Sequence, residues 1–409
     1  PISVSIPYKL YCIRLPNFIF SGTFLRTSLG TGGINCLFKR KRGTMSNIKD
    51  IIREFMLTPD PSGYEKKMAF AMKAHMERYA ESVTIDRAGN VISCFPGSDA
   101  SAPKVMVFAH LDQLGFIVRK IEKNGLIQVD RMGGIPEKVL PALNLVIMGI
   151  DGILTEGVIG VKSHHTTSAD EKYKVDLVTN LLIDIGASSD EEVYARGIHV
   201  GCPAIYKPQF NELLGDHVCG TAVDNRCGCA ALVSIAKQLS KTPHAATVYL
   251  VGTVWEEFNI RGAVFAARAI RPDLAIGMDV VFAGDTPDLA GKYDLQMGNG
   301  PAVGVYNFHG RGTLNGCIGH KGLYMHARKT AEENGINLQE FASVGMLTDT
   351  AYVQMEGKYV GCLDMGFPCR YTHTPIESAS VKDVRHLADL VTRMVATIGP
   401  DFPVGRFDY

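Results

Sequence analysis

Apolar side chains recur at helical spacing from Ile48 to about Tyr79, interrupted by Thr58-Pro59-Asp60-Pro61-Ser62-Gly63. This predicts two helices joined by a turn. Ser82-Val83-Thr84-Ile85-Asp86 and Asn90-Val91-Ile92-Ser93-Cys94-Phe95 flank Arg87-Ala88-Gly89, the pattern of a hairpin. The run Val105-Met106-Val107-Phe108-Ala109 is wholly apolar and too short for a helix, so it predicts a strand buried on both faces. Two more such segments follow, Thr247 to Trp255 and Leu274 to Met278. Between about Leu114 and Tyr206 the pattern changes to short β-type runs at 115–118, 126–129, 145–148 and 157–160, separated by Gly, Asp and Pro. An all-β insert is expected there. After Asp216 the alternation of helix and strand resumes, with helices near Gly228 to Leu239 and Gly262 to Ile270.

The predicted architecture is therefore α/β, with a doubly covered sheet interrupted by an all-β segment. The expected division is a main domain formed by 45–113 and 207–409, with 114–206 inserted into it. At 409 residues the chain is long for a single core, which agrees with two domains. Residues 1–44 contain no Asp or Glu and carry the basic run Lys39-Arg40-Lys41-Arg42. A transit peptide has this composition. Because Met45-Ser46-Asn47-Ile48 reads like an ordinary start, upstream sequence outside the fold is the preferred expectation.

Lys plus Arg and Asp plus Glu both total 42, so net charge gives no reason to expect nucleic acid or an anionic membrane as partner. No apolar run approaches the length of a membrane span. Ten cysteines in a chain of this length do not form a disulfide framework, and a reducing cytoplasm is the expected compartment.

The chemistry sits where the strands end. His110-Leu111-Asp112 follows the first apolar run, Glu256-Glu257 the second and Asp279 the third, while Asp224 opens a helix rich in small residues and His373 lies near the C-terminus. In open α/β sheets the reactive crevice lies outside the carboxyl ends of the strands, so these residues are expected to converge as a two-metal hydrolase site. Two cations about 3.5–4 Å apart need a shared anion, and Asp224 is the natural bridge. His110 with Asp279 would hold one ion, and Glu257 with His373 the other. Glu256 is left as general base, and Asp112 is expected to hydrogen-bond the His110 imidazole. Each of these residues alone is weak evidence, and their joint order carries the reading. His164, His165, His309, His320 and His326 have no carboxylate at ligand spacing and are expected to be structural or on the surface, with a place near the active site as the alternative for His165.

These segments resemble the metallo-aminopeptidases that assemble into tetrahedral particles, a family that includes glutamyl and deblocking aminopeptidases. The resemblance is carried by Ala109-His110-Leu111-Asp112, Val223-Asp224-Asn225-Arg226, Trp255-Glu256-Glu257-Phe258, Met278-Asp279-Val280, Leu347-Thr348-Asp349-Thr350 and Tyr371-Thr372-His373-Thr374, and it covers nearly everything from Met45 onward. It implies a three-layer α/β/α catalytic domain with an inserted β domain that mediates dimerisation, dimers assembling to a dodecamer, peptide substrates, and two divalent ions per subunit. It also implies a cis peptide between Asp224 and Asn225. Zinc is the ion expected from mixed nitrogen and oxygen ligands, with cobalt or manganese as alternatives. Gln113, Asn225, Phe258-Asn259 and Leu347 depart from the family's usual residues, so substrate preference is not carried over.

The leading expectation is an aminopeptidase. A deacylase or amidase acting on N-acyl amino acids would use the same metal pair, and a catalytically silent scaffold would lack a ligand or the base. A glycosidase would need two carboxylates facing each other across about 5–9.5 Å, whereas these carboxylates are better explained as ligands.

Overall fold

The computed structural model describes residues 47–310 and 315–408. The expectation for residues 1–44 lies outside them. Two helices come first, α1 (Ile48–Met56) and α2 (Lys66–Met76), followed by the hairpin β1 (Ser82–Ile85) and β2 (Val91–Phe95) and then β3 (Val105–His110). Next come β4 (Gly115–Ile121), β5 (Ile127–Met132), β6 (Asn144–Met148), β7 (Leu154–Ile159), β8 (Leu182–Asp184), α3 (Asp190–Ala195) and β9 (Pro203–Tyr206). The chain continues through β10 (Phe210–Leu213), β11 (His217–Gly220), α4 (Val223–Leu239), β12 (Val248–Thr253), α5 (Gly262–Ile270) and β13 (Leu274–Phe282). Last are β14 (Ala302–Phe308), β15 (Gly316–Ile318), α6 (Lys321–Glu333), β16 (Gln339–Val344), α7 (Thr350–Val353), β17 (Gly361–Arg370), β18 (Glu377–Ser380) and α8 (Val381–Ala396).

The main sheet runs β1-β2-β12-β3-β13-β17-β18-β11-β10, with β14 branching from β17 to carry β15 and β16. Its centre, β12-β3-β13-β17, is parallel. All six residues of β3 are buried because both faces are covered, as the uninterrupted apolar run predicts. Val105, Val107 and Ala109 pack into the core shared with α1, α2, α4, α6 and α8. Met106 and Phe108 face the opposite way, toward residues of α5 and α7. The result is a three-layer α/β/α arrangement.

The strands β4-β5-β8-β7-β6-β9 close on themselves as a barrel with its own core, built around Phe116, Val129, Leu145, Ile147 and Ile183. The insert is not wholly β, because α3 interrupts it. Ser189 caps that helix by accepting from the Glu192 N–H, and three acidic residues fill its first turn, a start signal that the β reading passed over. Among the described residues no helix is long and apolar enough to cross a membrane.

Two details of the main sheet shape the site. β13 does not stop at Met278; it continues to Phe282, paired throughout with β17. Its pairing with β3 ends at Gly277 opposite Phe108. Asp279 therefore lies within its strand, just past the point where β3 and β13 separate and open a crevice. The helix after β11 starts earlier than Gly228, but Asp224 and Asn225 are non-helical within it.

Candidate metal centre

His110, the last residue of β3, is 2 % exposed and hydrogen-bonds Asp224 Oδ1 through Nε2 at 3.0 Å. His373 Nε2 approaches the other oxygen, Asp224 Oδ2, at 3.5 Å. Each oxygen of one carboxylate thus faces a different imidazole. Asp279 Oδ1 and Glu256 Oε2 lie 3.9 and 4.0 Å from His110 Nε2, and Glu257 Oε1 lies 3.9 Å from His373 Nε2. Two triads with ligand-compatible spacing share Asp224: His110, Asp224 and Asp279, and Asp224, Glu257 and His373. All six converging residues had been singled out from the sequence.

Backbone groups aim both imidazoles. His110 Nδ1 pairs with the carbonyl oxygen of Asp112 at 3.1 Å, and His373 Nδ1 with that of Gly134 at 2.9 Å. A ring anchored through Nδ1 has its Nε2 directed at the centre, where an ion would take the place of the Nε2 proton now shared with Asp224. The Asp112 carboxylate does not do what the sequence suggested. It stands 3.7 Å from His110 and instead accepts from the backbone N–H groups of Glu256 and Glu257, each at 3.1 Å, and from the Ser62 hydroxyl at 2.5 Å. The reason is local: beyond β12 the chain turns sharply through left-handed Trp255, Asn259 and Ile260, which leaves two consecutive amides needing an acceptor.

Glu377 plays the matching part on the other side. Its carboxylate accepts from the backbone N–H of Asp224 at 3.1 Å and of His373 at 2.6 Å. One of these amides is four residues away and the other, Asp224, comes from a distant segment, so the clamp joins two parts of the chain that only the fold brings together. Asn225 donates to the Met278 carbonyl at 2.7 Å, tying the Asp224 segment to β13 beside Asp279, and the Asp224–Asn225 peptide is cis. The Asn225 side chain fits there because residue 228 is glycine: a Cβ would meet Asn225 Oδ1 at 2.0 Å and Ala109 Cβ of β3 at 3.1 Å.

The electrostatics call for cations. Burial, reinforced by the charges of neighbouring carboxylates, holds Glu256 and Asp279 well above the usual carboxylate range and pushes Glu257 up to about 7. Burial pulls against charging His110 and His373 too, yet the surrounding carboxylates raise both imidazoles well above their ordinary value. Asp224 is the exception: burial would raise it, but hydrogen bonds from both imidazoles outweigh that and hold it low. Glu257 Oε1 is buried with no hydrogen-bond partner. An orphaned acceptor among crowded acids, with two imidazoles nearby, is a donor set that fits a pair of divalent ions.

The centre opens into a cavity of about 550 Å³. Arg131, Gly133 and Gly134 from the barrel contribute to its wall, as do Phe258, Asn259 and Leu347. His309, expected to be structural or on the surface, also lines it, whereas His320 is buried and caps α6 and His326 packs against Phe402. His164 and His165 lie on an exposed one-turn helix within the insert.

A bridging carboxylate, two imidazoles and flanking acids at the carboxyl edge of an α/β/α sheet define a two-ion hydrolase centre. The chain belongs to the M42 glutamyl aminopeptidase family, whose profile matches residues 89–390. It is 39 % identical over 344 residues to SgcX, a candidate aminopeptidase of Escherichia coli (strain K12), spanning 84 % of this chain and 92 % of that protein. The structure of the aminopeptidase APDkam598 from the archaeon Desulfurococcus kamchatkensis superimposes with a TM-score of 0.82 at 29 % identity, covering 87 % of this chain and 96 % of that one. The Pyrococcus horikoshii TET1 peptidase, which can assemble into a tetrahedron or a large octahedral shell, gives a TM-score of 0.75 at 26 % identity, covering 86 % and 100 %.

Proposed function

We propose that this protein is a dinuclear metal-dependent aminopeptidase that releases N-terminal residues from peptides. The observation that carries the reading is the position of Asp224, with one oxygen toward His110 and the other toward His373. His110, Asp224 and Asp279 would hold one ion, and Asp224, Glu257 and His373 the other. Bound there, the ions supply Lewis-acid polarisation of the scissile carbonyl and acidify water.

The chain's own groups do the rest. Glu256 belongs to neither triad that shares Asp224, although with His110 and Glu257 it makes a third group at ligand spacing, and burial holds its carboxyl well above the usual range, which suits a group that must take up a proton. It removes the proton from the attacking water and delivers it to the departing amine. Asp112 fixes Glu256 and Glu257 through their amides, and Glu377 fixes Asp224 and His373 in the same way. Both act as positioning residues.

The mixed imidazole and carboxylate donors favour zinc, with cobalt or manganese as alternatives. Residues 45–113 and 207–409 are proposed as the catalytic domain, and 114–206 as the insert through which two copies pair. Dimers would then build a shell such as the one TET1 forms, in the cytoplasm.

Turnover of free and N-acetylated aminoacyl amides, with and without chelator, tests this for the unaltered chain and Glu256→Gln. Cleavage of free-amine substrates only, abolished by chelation and by the substitution at unchanged metal content, is the expected result. Preference for acetylated substrates would replace the aminopeptidase reading with a deacylase.

A further inference from the structure

The cavity in front of the centre has a wall of distinct chemistry. Away from the acid and imidazole cluster its lining includes the apolar side chains Phe258, Ile260, Val280, Phe282, Met346 and Leu347, set among neutral asparagine, threonine and tyrosine groups. Its remaining polar side chains are uncharged or histidine, with one exception among the described residues, Arg131. That guanidinium donates to the Ile135 carbonyl at 2.7 Å and lies 3.9 Å from Glu137, so it is already partnered within the barrel. Phe258 is held in place by Arg261, whose guanidinium stacks over its ring at 5.1 Å. Among the described residues, every carboxylate in the lining belongs to the cluster.

We propose that the N-terminal side chain accepted here is uncharged and apolar, of the leucine, methionine or phenylalanine type, and that lysine and arginine are rejected. This deepens the aminopeptidase reading and rests on it. An apolar side chain entering the cavity exchanges water for the Phe258, Met346 and Leu347 surface, which is favourable in proportion to the area covered. A lysine or arginine head would lose water without gaining an acid partner, because the cluster's acids face the ions, and it would meet Arg131 as a like charge. A glutamate side chain would find Arg131 already engaged by Ile135 and Glu137.

Two measurements test the proposal. Aminoacyl-coumarin substrates carrying leucine, methionine, phenylalanine, lysine, arginine and glutamate are compared by kcat/KM. Binding of leucinamide and lysinamide to the metal-loaded Glu256→Gln variant is measured by calorimetry. The expected results are a preference of at least tenfold for the apolar residues over lysine in both, and a narrowing of the leucine-to-lysine ratio by at least tenfold in Leu347→Asp, which places an acid on the half-buried wall. Lysine or glutamate cleaved as well as leucine, or a ratio unmoved by Leu347→Asp, would overturn the proposal while leaving the aminopeptidase reading intact. Leucinamide bound selectively by a protein that hydrolyses no substrate would uphold the pocket chemistry and remove the hydrolase reading.

Discussion

His373 Nδ1 lies 2.9 Å from the carbonyl oxygen of Gly134, so an imidazole of the main sheet is aimed by the backbone of the barrel. A Cβ added at Gly134 would stand 3.0 Å from that same nitrogen. Gly134→Ala is therefore expected to tilt the ring and weaken the ion held with Asp224 and Glu257 by roughly 10–100-fold, while the ion at His110 and Asp279 stays. Chelator-competition titrations, which resolve the two binding steps, check this; equal weakening of both would show a general loss of structure.

Shared and unshared carboxylates should differ in what their loss removes. Asp224→Asn is expected to leave a protein that retains almost no metal after dialysis, because the residue serves both triads. Asp279→Asn, which belongs to one triad, should retain about one ion per chain. Elemental analysis distinguishes the two, and identical metal contents would contradict the shared role of Asp224.

Metal uptake should release protons. Burial holds Glu256 and Asp279 protonated well above the usual carboxylate range and Glu257 up to about 7. Ions bind the ionised forms, so these protons must leave, and affinity rises with pH through about 7. Calorimetric titration in buffers of different ionisation enthalpy should show net proton release that diminishes as the starting pH is raised. Proton uptake would contradict the sign.

Arg226 is wholly buried and donates to the Asp60 carbonyl at 3.0 Å, and its charge acts on Asp60, Glu65 and Asp112. It is a buried cation beside three buried acids behind the centre, with Lys67 also acting on Asp60. Replacing it with methionine keeps much of the volume but strands those charges, at an expected cost of about 3–5 kcal/mol. Denaturant unfolding of the metal-free protein checks this, and a change within about 0.5 kcal/mol would mean the acids are neutral in the folded state.

What the sequence disclosed and what it hid have separate physical causes. Strand ends were readable because apolar runs such as Val105 to Ala109 stop abruptly at a polar residue, which placed His110, Glu256 and Glu257, whereas Asp279 sits within a strand that runs on to Phe282 and owes its place to the parting of β3 from β13. The apolar runs and the helices between them gave the α/β alternation, while the three layers were implied by the family resemblance. The clamps by Asp112 and Glu377 were not readable, since each carboxylate accepts from at least one amide more than a hundred residues away, and only the fold brings that amide within reach. Left-handed Trp255, Asn259 and Ile260 give no compositional warning of such a turn, being non-glycine. His309 escaped notice because a wall residue needs no ligand spacing. Helix α3 was missed although Ser189 and the acids after it announced a helix start, because the surrounding β-type runs dominated the reading.

Only four residues separate the end of β3 at His110 from the first barrel strand at Gly115. The chain thus passes from the site straight into the barrel, and the barrel sends back Arg131, Gly133 and Gly134 to wall the cavity. An excision that trims the insert at its base would take a side of the substrate chamber with it. The barrel is as much masonry of the chamber as an appendage to it, and a force that shifts the barrel is felt first at His373.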